Sequence, residues 1–111
     1  MDNKKDNTYY LKKIVKDLGF IAEHTRGVTK AGLQEDEVLQ DSVMFRLIQV
    51  SENAAHLADD FKLRYNEIPW QAMRGMRNRI VHEYGDVDLT IVFDTVTRDV
   101  PKLYEMLSEL I

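Results

Sequence analysis

The sequence predicts an all-α protein, an up-and-down four-helix bundle built as one domain over residues 1–111. Three observations lead there. Apolar residues recur at three- and four-residue steps along most of the chain, the mark of helices with one buried stripe, and nothing alternates with period two over a useful length. Only two Pro and five Gly interrupt a chain rich in Leu, Lys, Glu and Asp, so long helices meet few breakers. Finally, 111 residues with 44% hydrophobic content suffice for one core but not two.

Taken in order, Asn7 or Thr8 can cap a first helix whose stripe is Leu11, Ile14, Val15, Leu18, Ile21 and Ala22. Lys12, Lys13, Lys16 and Asp17 fall off that stripe and read as a solvated face. The helix should end near Arg26-Gly27, with Val28 to Leu33 a loop and Gly32 its turn residue. A second and longest helix is expected from about Glu35 to Phe61, with Leu39, Val43, Leu47, Val50, Ala54, Leu57 and Phe61 as its main stripe. Met44, Ile48 and Ala55 make a second apolar edge, which suits contact with a second subunit as well as with a central position in one bundle. His56 has no partner spacing and reads as a surface residue.

Pro69-Trp70 reads as a third helix start, because proline's missing N–H is not needed in the first turn. Gly85-Asp86 reads as its stop, through a left-handed glycine. Asp88 is a good cap for a fourth helix carrying Leu89, Val92, Phe93, Val96, Val100, Leu103, Leu107 and Leu110. Pro101 lies inside that pattern and predicts a kink or short break near Arg98.

Composition excludes several classes of function. No Cys means no disulfide, thiolate metal site or Cys nucleophile. The three His (24, 56 and 82) are too scattered for zinc, and no glycine-rich phosphate loop or calcium loop occurs, so no metal or cofactor is expected. Residues 1–6 carry no apolar signal region and no run approaches a membrane span, which makes a cytoplasmic protein the default. A net charge of −4 argues against a surface that coats nucleic acid broadly. Charge is uneven, however. Residues 35–60 hold seven acids against Arg46 alone, whereas residues 61–84 hold Lys62, Arg64, Arg74, Arg77 and Arg79 against two acids. A local basic cleft for a phosphate backbone fits the second stretch.

That stretch contains Arg77-Asn78-Arg79-Ile80-Val81-His82-Glu83-Tyr84, in the last two turns of the third helix. Asn78 and His82 are four residues apart and share a face, while Arg77 and Tyr84 share a neighbouring one, with Arg77 roughly 140° of arc from His82. An Arg fork fits two phosphate oxygens, and a His near its unperturbed pKa of about 6.5 passes protons at neutral pH. Asn78 can hold the imidazole or bind the ligand. Against this stands a bland reading, in which Arg and His merely complement the negative end of a helix dipole. Glu52, a polar interruption in the second helix, is placed to pair with an arginine of this helix and hold it still.

Arg77-Asn78-x3-His82-x-Tyr84 resembles the Arg-x(4–6)-His signature of HEPN domains, in the Arg-x4-His-x-Tyr form of HepT-type toxins. Ile68-Pro69-Trp70 followed by Gly75-Met76-Arg77-Asn78 is similar to the run leading into that motif, and Arg46 to Glu52 resembles a stretch on the preceding long helix of the family. The resemblance covers essentially the whole chain. It implies a HEPN-like bundle, a homodimer with the two signature helices facing across a cleft, and metal-independent RNA cleavage there. In that picture Arg77, His82 and Asn78 are catalytic, with Glu52 and Arg46 supporting them. It further implies a small nucleotidyltransferase antitoxin that inhibits the toxin by transferring AMP to Tyr84. The competing functions are a non-catalytic nucleotide-binding partner subunit of a nucleotidyltransferase and a purely structural helical dimer.

Overall fold

A computed structural model describes residues 5–111, so the polar start at residues 1–4 lies outside the described residues. The order is α1 (Asn7–Thr25), α2 (Lys30–Glu35), α3 (Glu37–Ala55), α4 (Asp59–Arg64), α5 (Trp70–His82), a 3-10 turn (Tyr84–Asp86), then α6 (Leu89–Asp94) running through a π turn (Thr95–Asp99) into α7 (Val100–Ser108). Among the described residues there is no strand, as expected. α3 packs on α1 and α5, and α7 packs on α1. No helix is long and apolar enough to cross a membrane among the described residues.

The expected up-and-down four-helix bundle is not what forms. Among the described residues, with 89–108 counted as one continuous helix, there are six helices, four long and two short. The extra two come from the stretches read as a loop and as the tail of the second helix. Thr29 Oγ1 accepts from Gly32 N–H at 3.0 Å, capping α2 so that Leu33 can enter the core. Gly32 therefore sits inside a helix rather than in a turn. The long second helix stops at His56, whose ring stacks on Tyr10 at 4.8 Å. Leu57 then buries, and Ala58 N–H donates to Asn7 Oδ1 at 3.0 Å before α4 starts. Asn7 is thus spent on a long-range bond, and the α1 cap is Asp6, which accepts from Tyr9 N–H at 3.0 Å.

Other boundaries follow the local chemistry. α1 ends at Arg26, with Gly27 at φ +74°, where a side chain would be strained. Asp88 caps α6 by accepting from Thr90 N–H at 2.9 Å. The expected irregularity near Arg98 is present as a π turn over Thr95–Asp99, and Pro101 interrupts the α-helical pattern there without ending the helix. The proline lies at the start of α7, just after Val100 N–H reaches back to Thr95 O, and this wider turn takes in a residue that lacks its own donor. The predicted stripes form the core: Leu11, Ile14, Leu18 and Ile21 from α1 meet Val43, Leu47 and Val50 from α3 and Val100, Leu103 and Leu107 from α7.

Two face assignments change. Asp17 is buried rather than solvated, because Arg46 Nη1 reaches its carboxylate at 2.6 Å. Met44 is also buried in the core, so it belongs to the bundle and not to an outer edge. The outward apolar seam of α3 is instead Val38 and Phe45, 77% and 56% exposed, seven residues apart on one face.

Candidate active site

α5 lies along α3, and the signature residues occupy its second half and the turn that follows. Met73 and Ile80 bury α5 into the core, which turns Asn78, Arg79 and His82 toward solvent and leaves Arg77 half-buried against α3. Arg77 is fixed from two sides. Its Nε donates to Glu52 Oε1 at 2.8 Å, its Nη2 lies 2.7 Å from the same oxygen, and its Nη1 donates to Asn78 Oδ1 at 3.1 Å. A guanidinium has five N–H donors. Those contacts use Nε and one hydrogen on each terminal nitrogen, so among the described residues Nη1 and Nη2 each keep one N–H without a partner, donors of the kind a phosphate takes.

The expected pairing of Glu52 with a signature arginine is therefore present. Asn78 bonds to Arg77 rather than to the imidazole, which makes it a second brace for the guanidinium. His82 is exposed at the last position of α5 and makes no hydrogen bond or ion pair among the described residues, so both ring nitrogens are open to a substrate.

Arg46 does not join this group. It sits six residues before Glu52, about 120° round the helix, and faces α1. There it pairs with Asp17 and lies over the Phe20 ring, its Cζ 3.8 Å from the centroid, so it ties α3 to α1.

The end of α5 also departs from expectation. Gly85 has no left-handed φ, since Gly27 is the only positive-φ glycine among the described residues. The chain instead tightens into the 3-10 turn, with Asp86 N–H donating to Glu83 O at 2.8 Å. Tyr84 stands in this turn, 46% exposed, and its hydroxyl donates to Asp41 Oδ1 on α3 at 2.6 Å. That bond, with burial second and the carboxylate's charge third, pushes the phenol above its ordinary pKa. Asp41 was not singled out in the sequence. Its signal was the eleven-residue spacing to Glu52, about three turns, which puts both carboxylates on one face of α3.

Beside the first half of α5 a cleft of about 870 Å³ opens, bordered by Lys62, Asn66, Trp70, Gln71 and Arg74. Arg74 is one turn before Arg77, so the cleft continues the stripe that carries the guanidinium. Among the described residues no group of three or more His, Asp or Glu is arranged to hold a metal ion.

A family model described as "Ribonuclease HepT-like" matches residues 14–110. The chain belongs to the HepT-like ribonuclease family. Its enzyme class is accordingly that of a ribonuclease. The chain is 32% identical over 100 residues to "Probable ribonuclease HepT" of Thermococcus cleftensis, covering 90% of this chain and 91% of that one. It is 26% identical over 102 residues to "Putative RNase TTE0752" of Caldanaerobacter subterraneus, covering 92% and 91%. A further relative is "Gamma-glutamylcyclotransferase and putative RNase MJ0434" of Methanocaldococcus jannaschii, 32% identical over 107 residues. There the match takes 96% of this chain but spans about half, 48%, of the relative's length. No solved structure gives a significant match. Arg77, Asn78 and His82 lie in the second half of α5 and Tyr84 in the turn after it, with Arg77 and Tyr84 each held by a carboxylate of α3.

Proposed function

We propose that the chain is the toxin of a toxin–antitoxin pair, a metal-independent endoribonuclease whose cleft forms between two copies and which is silenced by AMP transfer to Tyr84. The observation that carries the reading is the bracing of Arg77 by Glu52 and Asn78, five residues before an exposed His82 that makes no hydrogen bond or ion pair among the described residues. In the reaction a ribose 2′-OH attacks the adjacent phosphorus, the new O–P bond replacing the bond to the 5′-oxygen. His82 moves the proton, and Arg77 holds the two oxygens on which negative charge gathers. Arg77 acts without reorganisation, because its guanidinium is already held in place.

One His per protomer serves as base or acid but not both at once, and a symmetric dimer supplies the second. Val38 and Phe45 on α3 and Val81 on α5 leave an apolar seam exposed on the side that carries Arg77, which supports pairing there. RNA flanking the scissile phosphate would run along the cleft past Arg74 and Lys62. The partner is a small nucleotidyltransferase antitoxin. A nucleotide on Tyr84 would add bulk and negative charge where the RNA phosphate must enter, and like charges oppose each other.

The test is cleavage of a single-stranded RNA by the purified chain with EDTA present. Turnover should persist, and His82→Ala should lower it by about 10² to 10⁴-fold, the usual contribution of a general acid–base group, with the far-UV CD spectrum intact. A requirement for added Mg²⁺, or full activity in the His82 variant, would overturn this reading.

A further inference from the structure

Of the five tyrosines, Tyr84 alone has a hydroxyl that donates to a side chain among the described residues. Tyr9 and Tyr104 are exposed to a similar degree, 37% and 39%, so accessibility does not set Tyr84 apart. What does is the carboxylate of Asp41, 43 residues earlier in the chain and 2.6 Å from the phenolic oxygen. Asp41 has no salt-bridge partner among the described residues, in contrast to Asp17 and Glu52. Both groups face solvent, where another protein can reach them.

We propose that Asp41 is the proton acceptor for nucleotidyl transfer to Tyr84, aiming the hydroxyl and taking its proton as the new bond forms. This rests on the reading of Tyr84 as the site of modification. A phenol is a weak nucleophile while it keeps its proton, and a neighbouring anion makes free phenolate harder to form. The raised pKa of Tyr84 fits that arrangement. Ionisation in advance of attack is therefore disfavoured, and the proton has to leave in concert, toward the atom that already accepts it. The step balances. Tyr84 Oη bonds to the α-phosphorus of ATP, the bond from that phosphorus to the bridging oxygen breaks, and pyrophosphate leaves with the electron pair. The proton passes to Asp41 Oδ1, which gives it up to solvent afterwards. Protonation also neutralises the one carboxylate in contact with the hydroxyl as a negatively charged phosphoryl group arrives. Among the described residues the other tyrosines have no such acceptor, so the same contact favours Tyr84 over Tyr9 and Tyr104.

The experiment follows AMP addition by intact mass and peptide mapping, using the chain, a small nucleotidyltransferase of the proposed antitoxin class, and ATP. Asp41→Asn keeps an oxygen that accepts the hydrogen bond but cannot take the proton. It should slow addition to Tyr84 by about 100-fold or more, with an unchanged far-UV CD spectrum. Asp41→Ala should be at least as slow, and Asp41→Glu should recover part of the rate. If Asp41→Asn is modified as fast as the unaltered chain while Asp41→Ala is slow, Asp41 only aims the phenol and the proton-acceptor role is overturned. Equal rates in all three overturn any role for Asp41. An unaltered chain that receives no AMP, or receives it elsewhere, overturns the Tyr84 reading itself, and is distinguishable because no variant is needed to see it.

Discussion

Two arginine–carboxylate pairs tie α3 to its neighbours, and they differ in what surrounds them. Arg46 and Asp17 join α3 to α1, with side chains 27% and 12% exposed and the guanidinium laid over Phe20. Arg77 and Glu52 join α5 to α3, with side chains 34% and 45% exposed. The first pair is closed off by the helices it connects, so it can serve only packing. The second keeps free donors on an open side, so the same ion-pair chemistry becomes a way of presenting a charge. A residue type and its partner do not settle a role. Access to the remaining donors does.

The largest effects should come from exchanging the two arginines. Arg77→Ala should lower RNA cleavage by about 10² to 10³-fold, as loss of a group aimed at transition-state charge does, and should leave thermal unfolding nearly unchanged. Arg46→Ala should do the reverse. It strands a buried carboxylate, which costs about 2 kcal/mol and a drop in Tm on the order of 10 °C, while activity per folded molecule holds. Both are read from initial rates and a melting curve on the same samples. If Arg46→Ala loses turnover without losing stability, the division between the pairs is wrong.

A smaller effect isolates the brace. Glu52→Gln retains an acceptor but removes the charge, and should reduce kcat by about tenfold, since the guanidinium is still present but less firmly held. Its stability should move by less than about 1 kcal/mol, as for other pairs open to solvent. A fall as deep as that of Arg77→Ala would mean that Glu52 takes part in the chemistry directly.

The smallest effect on the fold of a single subunit is expected at Phe45, on the side of α3 turned away from Asp17. Phe45→Glu should change helix content negligibly, since it lies outside the core, and should convert a dimer into monomers at micromolar concentration in light scattering. An unaltered chain that is monomeric under those conditions would remove the dimer from the mechanism.

Periodicity alone was enough to identify the all-α class and most of the core, because a helix buries whatever recurs at its own repeat, but it did not mark Leu33, Ile68, Met73 or Ile80. The capping residue Asp88 and the stop at Arg26-Gly27 were legible for the same reason: their chemistry is local. Arg77, Asn78, His82 and Tyr84 were legible as a group because their spacing lies within one helix and the turn after it, and Glu52 because a buried-side interruption by an acid calls for a partner. The short helices α2 and α4, the wide turn that absorbs Pro101 and the burial of Asp17 and Met44 were decided only by tertiary contacts. Leu33 makes a helix of an apparent loop because α3 and α6 lie against α2 and cover it, and Arg46 turns from the site because α1 offers a carboxylate on that side. The bond from Tyr84 to Asp41 belongs to the same class. It joins residues 43 apart, and a sequence fixes which face of a helix a side chain occupies without fixing which other helix will lie against it.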